Sequence, residues 1–272
     1  MYVHNALICT TCGVRYREEV KNRQHCPICE DERQYVHPLG QKWTTLAVMK
    51  EADFHNERTE VEPGLTEIVT KPGFAIGQRA LLLQTESGNF LWDCITYLDN
   101  ETIEWIEGQG GLQGIIVSHP HFYSNFSDWA EAFDCPVYLH EADQEWVMGP
   151  AERVQFWSGE TLTLAPGVTA VRIGGHFEGS TILHWAEGAD GEGAILTGDT
   201  VYITFGLNRV SFMYSFPNLL PLPPRELKRI RSILAEWNFA NIHAAWSGKS
   251  IVGESRTIVE ASISKYLELL ES

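Results

Sequence analysis

Four histidines and one aspartate stand where predicted strands end, which is where a chain can gather ligands for a metal ion. They are His119, His121, His176, Asp199 and His243. One residue separates His119 from His121, and glycines surround His176, so each of these motifs can form a tight loop. Loops at strand ends converge at one edge of a sheet sandwich. Imidazole and carboxylate groups at such an edge predict a site for a divalent metal ion.

Two C-x-x-C pairs near the N-terminus predict a second metal site in residues 1–45, a segment that we call the knuckle. Its four cysteines are Cys9, Cys12, Cys26 and Cys29. Four thiolates make a closed tetrahedral site, which suits structural zinc and would supply much of the folding free energy of so small a unit. The pattern resembles zinc ribbons. It also resembles rubredoxin-like knuckles, because Tyr16 follows the first pair and Pro27 lies in the second, so iron is an alternative. Disulfides or free thiols are the other alternative.

The elements that must position the histidines alternate between strands and helices. Predicted strands cover residues 80–85, 89–93, 114–118, 136–140, 161–164, 168–173, 181–185, 194–197 and 240–244. Predicted helices cover residues 99–107, 126–133, 223–237 and 256–270. Residues 31–60 are polar and mixed, and we expect them to link the knuckle to the main body. This alternation, with hairpins in each half, indicates a layered α/β domain.

Composition and charge exclude several classes of protein. A chain of 272 residues with 44% hydrophobic residues can form one large domain and a small appendage. The net charge of −16 argues against nucleic acid as a partner. No stretch reaches the ~18 apolar residues of a membrane span, and residues 1–5 lack the basic region of a signal peptide. We therefore expect a cytoplasmic protein that acts on a small molecule and has no membrane partner.

The order of the motifs resembles that of the metallo-β-lactamase superfamily. The chain reads H-x-H at residues 119–121, G-H-x-x-G-S at 175–180, G-D-T at 198–200, and then a last histidine, His243. Asp93 matches an early structural aspartate of that family. The resemblance covers roughly residues 65–272. It implies a four-layer αβ/βα sandwich over residues 46–272, preceded by the zinc-ribbon-like knuckle over residues 1–45.

The first motif departs from the family pattern at two positions. The family usually reads H-x-H-x-D-H there, whereas this chain has Tyr123 and Ser124 in place of the aspartate and the last histidine. The resemblance implies that His119, His121 and His176 hold a first ion, with Asp199 as the bridging carboxylate. A second ion would use the positions of Tyr123 and Ser124 together with Asp199 and His243. Serine and phenol are poor ligands beside imidazole, so we predict one ion at this centre.

The leading functional hypothesis is a zinc-dependent hydrolase of that superfamily. The resemblance implies an ester, thioester or lactone substrate, attacked by metal-bound hydroxide. Asp199, Tyr123 and His243 are the candidate catalytic residues. Tyr123 could donate a hydrogen bond to an oxyanion. His243 could move a proton, or it could be a hydrogen-bonded relic of the lost second site.

Two other hypotheses stay open. A persulfide dioxygenase-like enzyme would bind one iron ion through His119, His176 and Asp199, which form the facial triad typical of non-haem iron. A protein without catalytic activity would instead bind a ligand, with the knuckle docking a protein partner. The loss of the usual ligands at Tyr123 and Ser124 motivates the hypothesis of a protein without catalytic activity. It counts against the dioxygenase, because persulfide dioxygenases keep the usual first motif.

Overall fold

The computed structural model of the protein describes residues 5–17 and 22–272. The expectation about a signal peptide concerns residues 1–5, of which residues 1–4 lie outside this described part. The described residues form the knuckle, two large β-sheets and the helices that cover them. Within the same ranges, no helix combines the length and the apolar character needed to cross a membrane.

The knuckle is built from two short strands and one turn of helix. Strand β1 (Ile8–Cys9) pairs antiparallel with strand β2 (Trp43–Thr44), so the two ends of the described knuckle are held together. Helix α1 (Pro27–Glu30) carries Cys29 and begins at a proline, whose missing N–H would have no partner at a helix N-terminus anyway. These elements bring all four cysteines into one small buried cluster.

The first large sheet combines an antiparallel half with a parallel half. Its strands, in spatial order, are β3 (His55–Glu62), β4 (Leu65–Lys71), β5 (Ala80–Thr85), β6 (Gly88–Trp92), β7 (Gly114–Ile116), β8 (Val137–His140) and β9 (Val154–Trp157). Strands β3 to β6 pair antiparallel, and β6 to β9 pair parallel. Helix α2 (Leu46–Glu51) precedes the sheet, and α3 (Asn100–Gly108) and α4 (Phe126–Ala132) connect parallel strands. The Asp99 side chain begins α3 by accepting a hydrogen bond from the Thr102 N–H.

The second large sheet is mostly antiparallel and carries the later metal-ligand candidates. Its strands, in spatial order, are β10 (Thr161–Ala165), β11 (Val168–Arg172), β12 (Thr181–Trp185), β13 (Ala194–Thr197), β18 (Asn241–His243) and β19 (Ser250–Ile251). Between β13 and β18 lie two small hairpins, formed by β14 (Tyr202–Ile203) with β15 (Val210–Ser211) and by β16 (Met213–Ser215) with β17 (Leu220–Pro221). Helix α5 (Pro224–Ala235) leads into β18, which pairs parallel with β13, and helix α6 (Ser255–Leu270) ends the fold.

The two sheets and their helices form four layers. Side chains alternate across each strand, so Leu81 and Leu83 face the other sheet while Leu82 faces the helices. The core between the sheets joins Leu81 and Leu83 to Leu183 and Leu196. The two outer cores lie between each sheet and its own pair of helices, α3 with α4 and α5 with α6. The predicted four-layer α/β fold is therefore confirmed.

Residues 31–60 differ from the predicted linker. They contain strand β2, helix α2 and most of strand β3, which is the edge strand of the first sheet. The side chain of Asn56 on β3 is buried and donates to the Tyr97 carbonyl and the Thr102 hydroxyl. Polar composition suggested a linker because an edge strand needs fewer apolar residues than an interior strand. The local pattern does not reveal such tertiary hydrogen bonds.

A buried ion pair lies within the first sheet, and its arginine also contacts the end of strand β18 in the second sheet. The Arg79 guanidinium lies 2.7 Å from the Glu67 carboxylate and also donates to the Ala244 carbonyl, and the two side chains are 1% and 10% exposed. Substituting Glu67→Ala would leave this arginine buried without its partner, so we expect the free energy of unfolding to fall by about 3–5 kcal/mol. Chemical denaturation measures this change. As a control, Arg231→Ala breaks a half-exposed pair with Glu260 and should cost less than about 1 kcal/mol. Equal losses in the two variants would contradict the prediction.

Candidate metal centre

Three histidines and one aspartate meet at a buried point. The ligand atoms of His119, His121, His176 and Asp199 all lie within 4.8 Å of one another, and all four residues are buried. One carboxylate oxygen, Oδ2 of Asp199, lies 3.3 Å from His119 Nε2, 3.5 Å from His121 Nδ1 and 3.5 Å from His176 Nε2. The structure thus brings together four of the five residues with which the sequence analysis began.

Each ligand is placed by a loop that leaves the end of a strand. His119 and His121 follow β7, and His121 lies in a single 3-10 turn, Pro120–Phe122. Asp199 follows β13 directly after Gly198. A side chain at Gly198 would approach the Ser118 hydroxyl to 2.4 Å and His119 Nδ1 to 3.0 Å, so glycine is required for these two strand ends to come together. His176 lies in the loop between β11 and β12, after two glycines that both adopt positive φ.

Neighbouring groups set the orientation of the imidazole rings. His119 Nδ1 lies 2.9 Å from the Ser118 hydroxyl, and His176 Nδ1 donates to the Met213 carbonyl at 3.2 Å. Both rings therefore present Nε2 to the centre, as expected for ligands held by outer hydrogen bonds. Asp93 supports the first loop, because its carboxylate accepts a hydrogen bond from the Ser118 N–H at 2.7 Å. This contact agrees with the structural role that the resemblance implied for Asp93.

The charges at the centre suit a cation. Burial lowers the pKa of His121 and of His176, so both imidazoles are neutral and keep a lone pair. Burial alone would raise the pKa of Asp199, but the three histidines hold it below its usual range, so this group is a carboxylate. His119 Nε2 and Asp199 Oδ1 are buried without a hydrogen-bond partner. A divalent metal ion bound between these residues would satisfy His119 Nε2.

Tyr123 and Ser124 are turned to other partners. The Tyr123 side chain lies in the core beside Phe126, and its hydroxyl donates to the Asp143 carbonyl at 3.4 Å. Burial raises the pKa of Tyr123 well above its ordinary value. The Ser124 hydroxyl accepts a hydrogen bond from the Gln78 side chain at 2.8 Å. Tyr123 is therefore a core residue in this structure, and its position does not fit the catalytic role expected for it.

His243 also lies outside the cluster. It is fully buried in β18, where Nε2 lies 3.2 Å from the Glu62 carboxylate and Nδ1 lies 2.9 Å from the Ser250 hydroxyl. Both ring nitrogens are thus engaged by residues from two other strands. Of the two roles considered for His243, this geometry fits a hydrogen-bonded structural residue and not a proton shuttle at the metal centre.

Aromatic side chains surround the four candidate ligands. Phe122 and Phe177 contact the histidine rings, with centroids 4.4 Å from His119 and 5.0 Å from His121. The rings of Tyr202, Phe216 and Trp246 lie at the outer side and are half-exposed. Tyr202 contacts both of the others, and the Phe216 ring lies 6.0 Å from the His176 ring. Aromatic rings therefore lie on several sides of the centre.

The four cysteines form the second cluster that could hold a metal ion. Their sulfur atoms lie within 4.8 Å of one another, and all four are buried and free of disulfides. The Sγ atoms are 3.5 Å apart for Cys9 and Cys29 and 3.6 Å apart for Cys12 and Cys26. Tetrahedral zinc with Zn–S bonds of about 2.3 Å implies sulfur atoms roughly 3.8 Å apart. The four thiols affect one another: hydrogen bonds from the other three hold the pKa of Cys9 below its usual range, while burial holds the pKa of Cys12 above it.

The knuckle contacts the histidine centre through residues 31–33, which the sequence analysis did not single out. The Arg33 guanidinium donates to the His176 carbonyl at 3.3 Å and stacks on the Phe177 ring. In the sequence, Arg33 follows Cys29 by four positions and belongs to no motif. Ser118 was also missed, although its position directly before His119 is a signal that could have identified it.

Comparison with known proteins agrees with this geometry. Residues 75–229 match the family model of the Metallo-beta-lactamase superfamily. The uncharacterized protein YmaE of Bacillus subtilis (strain 168) is 47% identical over 266 residues, which cover 97% of each chain. The crystal structure of VMB-1 superposes with a TM-score of 0.61 at 12% identity, covering 79% of this chain and 98% of that one. TTHA1623 in a di-iron-bound form gives 0.51 at 20% identity, covering 68% and 94%. The 12% and 20% identities of these two crystal structures indicate a shared fold alone.

Proposed function

Because the chain belongs to the metallo-β-lactamase superfamily, we propose that it is a metal-dependent hydrolase with one zinc ion at the histidine centre. The substrate is an ester, a thioester or a lactone. The observation that carries the proposal is the convergence of three imidazoles and one carboxylate on a buried point. Three histidines with an open coordination position are typical of catalytic zinc.

The residues at the second-ion positions support a single ion. The Tyr123 hydroxyl is engaged by the Asp143 carbonyl, the Ser124 hydroxyl by Gln78, and His243 by Glu62 and Ser250. Three side chains that would have to ligate a second ion are thus committed elsewhere. The single zinc ion would be held by His119, His121 and His176 beside the Asp199 carboxylate, with one coordination position left open.

The chemistry divides between the ion and the protein side chains. When bound, zinc lowers the pKa of a coordinated water molecule toward ~7 and so supplies hydroxide as a nucleophile. Asp199 directs Oδ2 at the histidines and leaves Oδ1 without a partner. Asp199 Oδ1 can therefore accept a hydrogen bond from the attacking water and orient it. Tyr202, Phe216 and Trp246 would pack against an apolar acyl group and exclude water around it.

Metal content and turnover test the proposal together. We expect the zinc-loaded protein to hold two zinc ions per chain, one in each cluster, and to hydrolyse members of a panel of nitrophenyl esters, thioesters and lactones. Removing the histidine-site ion with a chelator should lower turnover at least about 100-fold, because the ion contributes several kcal/mol to the transition state. Added zinc should restore the activity.

Other outcomes would contradict this proposal in distinguishable ways. Iron at the histidine centre, with oxygen consumed in the presence of a persulfide, would identify an oxygenase. A protein that holds metal at the cysteines alone and hydrolyses nothing would fit a binding role.

A further inference from the structure

Residues 31–33 form a short arm that leaves the cysteine cluster immediately after Cys29. The arm begins where α1 ends, and the Asp31 N–H donates to the Pro27 carbonyl at 3.1 Å. The Asp31 carboxylate then accepts two hydrogen bonds from the Arg33 guanidinium, at 2.5 Å from Nε and 2.8 Å from Nη2. Both of these side chains are 15% exposed. The arm is therefore a rigid continuation of the metal-binding turn rather than a flexible tail.

Arg33 extends from the arm to the loop that carries His176. Its Nη1 donates to the His176 carbonyl at 3.3 Å, and its guanidinium carbon lies 3.7 Å from the centroid of the Phe177 ring. The Trp146 and Tyr214 rings lie 5.3 Å and 5.8 Å away. All three nitrogens of the guanidinium are thus engaged, while its face is covered by aromatic rings. This arginine therefore holds the backbone of the loop that carries His176.

Glu32 contacts a second segment beside the metal centre, strand β16 and the turn after it. Its carboxylate accepts a hydrogen bond from the Tyr214 hydroxyl at 2.5 Å, and its carbonyl accepts from Ser215 Oγ and Asn218 Nδ2, each at 2.7 Å. These partners belong to β16 and the turn after it. The first residue of β16, Met213, provides the carbonyl that orients the His176 ring.

His176 is thus held twice by the arm, through its own carbonyl and through the strand that fixes its ring. We propose that Arg33 and Glu32 are positioning residues of the metal centre, which keep His176 in the orientation that binds the ion. The inference rests on the proposed function, because it concerns the ion that His176 would bind. The loop needs such support, since Gly174 and Gly175 precede His176 with φ values of 60° and 84° and leave the backbone adaptable.

Cobalt(II) is a probe that separates the two metal sites in the full-length protein. Four thiolates give cobalt charge-transfer bands in the near ultraviolet and visible bands at long wavelength, whereas imidazole and carboxylate ligands give only visible bands, at shorter wavelength. We expect Arg33→Ala to release cobalt from the histidine centre into excess chelator about tenfold faster than the wild-type protein does. The visible bands at shorter wavelength should also change shape, while the thiolate bands remain. Arg33→Lys keeps the charge but lacks the planar fork, and it should release cobalt as fast as Arg33→Ala.

Arg58→Ala is the matched control, because it removes another arginine that pairs with a carboxylate and stacks on an aromatic ring. Arg58 pairs with Glu101 at 2.6 Å and lies 5.2 Å from the Trp105 ring, on the edge strand β3. Its removal should leave cobalt release unchanged. Tyr214→Phe removes a hydrogen bond to Glu32 without altering the knuckle, and we expect release roughly threefold faster. This variant decides the matter if the arginine variants lose their thiolate bands and so fail to fold.

Two results would overturn the inference, and they are distinguishable. Wild-type release rates in Arg33→Ala and in Tyr214→Phe would refute the positioning role and leave the proposed function intact. A cobalt-loaded wild-type protein that shows the thiolate bands alone would have no ion at the histidine centre, which would overturn the proposed function as well.

Discussion

Replacing His121 with alanine is expected to remove the histidine-site ion and to lower hydrolysis by about three orders of magnitude. His121 Nδ1 lies 3.5 Å from Asp199 Oδ2 and 3.1 Å from His176 Nε2, so it occupies the middle of the ligand set. Its loss would leave two imidazoles and one carboxylate, and the several kcal/mol of transition-state stabilisation supplied by the ion would be lost. Zinc content by mass spectrometry and turnover of the best substrate would be measured on the same preparation. Zinc should fall from two ions per chain to one.

His55→Ala provides the comparison for His121→Ala. His55 is 60% exposed, and its contacts are with Asp53 and Glu57 close to it in the chain. This variant should keep both zinc ions and full turnover. A His121→Ala protein that retains wild-type turnover would refute the assignment of the histidine centre as the active site.

Replacing Cys29 with serine is expected to release the knuckle ion and open the knuckle to proteases. Structural zinc in small domains contributes about 10–16 kcal/mol of apparent binding free energy, which is also folding free energy. Serine is a poor ligand in a thiolate site, and the buried cluster around Cys29 is small. We expect one zinc ion fewer per chain and new cleavage sites within residues 5–45, detected by limited proteolysis and mass spectrometry. The histidine centre should also release its ion faster, because Cys29 lies directly before the arm.

Cys135→Ala distinguishes loss of the metal from loss of a buried cysteine. Cys135 is 2% exposed and packs in the core between the first sheet and its helices. We expect this variant to lose about 1 kcal/mol of stability while keeping both ions. If Cys29→Ser kept two zinc ions and an intact knuckle, the four cysteines would not be a structural metal site.

The sequence was sufficient to predict the four-layer fold and the cluster of ligands. Strands β5, β12 and β13 have the boundaries predicted for them, because each is a short run of apolar residues between turn residues. His119, His121, His176 and Asp199 come together because each follows a strand end, and strand ends at one edge of a sandwich are neighbours. Local sequence patterns were therefore sufficient to predict this site, because it is built from loops at a common edge of the sheets.

The sequence could not predict the directions of side chains within those elements. His243 was placed at the metal centre by motif order, but it lies inside β18 and points to Glu62. Tyr123 follows the H-x-H motif by two positions, yet the turn directs its hydroxyl to the Asp143 carbonyl. The position of a motif predicts where the backbone lies. The direction of each side chain depends on the neighbours that pack around it. Arg33 was missed for the same reason, since its partners lie far away in sequence.

The arm is synthesised long before the residues that it contacts. Arg33 is 143 residues from His176, and Glu32 is 186 residues from Asn218. The four cysteines all lie within the first 29 residues, so the knuckle can leave the ribosome complete while its docking surface has not yet been translated. Because chains emerge N-terminus first, the unit that supports His176 is made long before His176 itself. The contacts of Arg33 with His176 and of Glu32 with Asn218 can therefore form only after those later residues have been made.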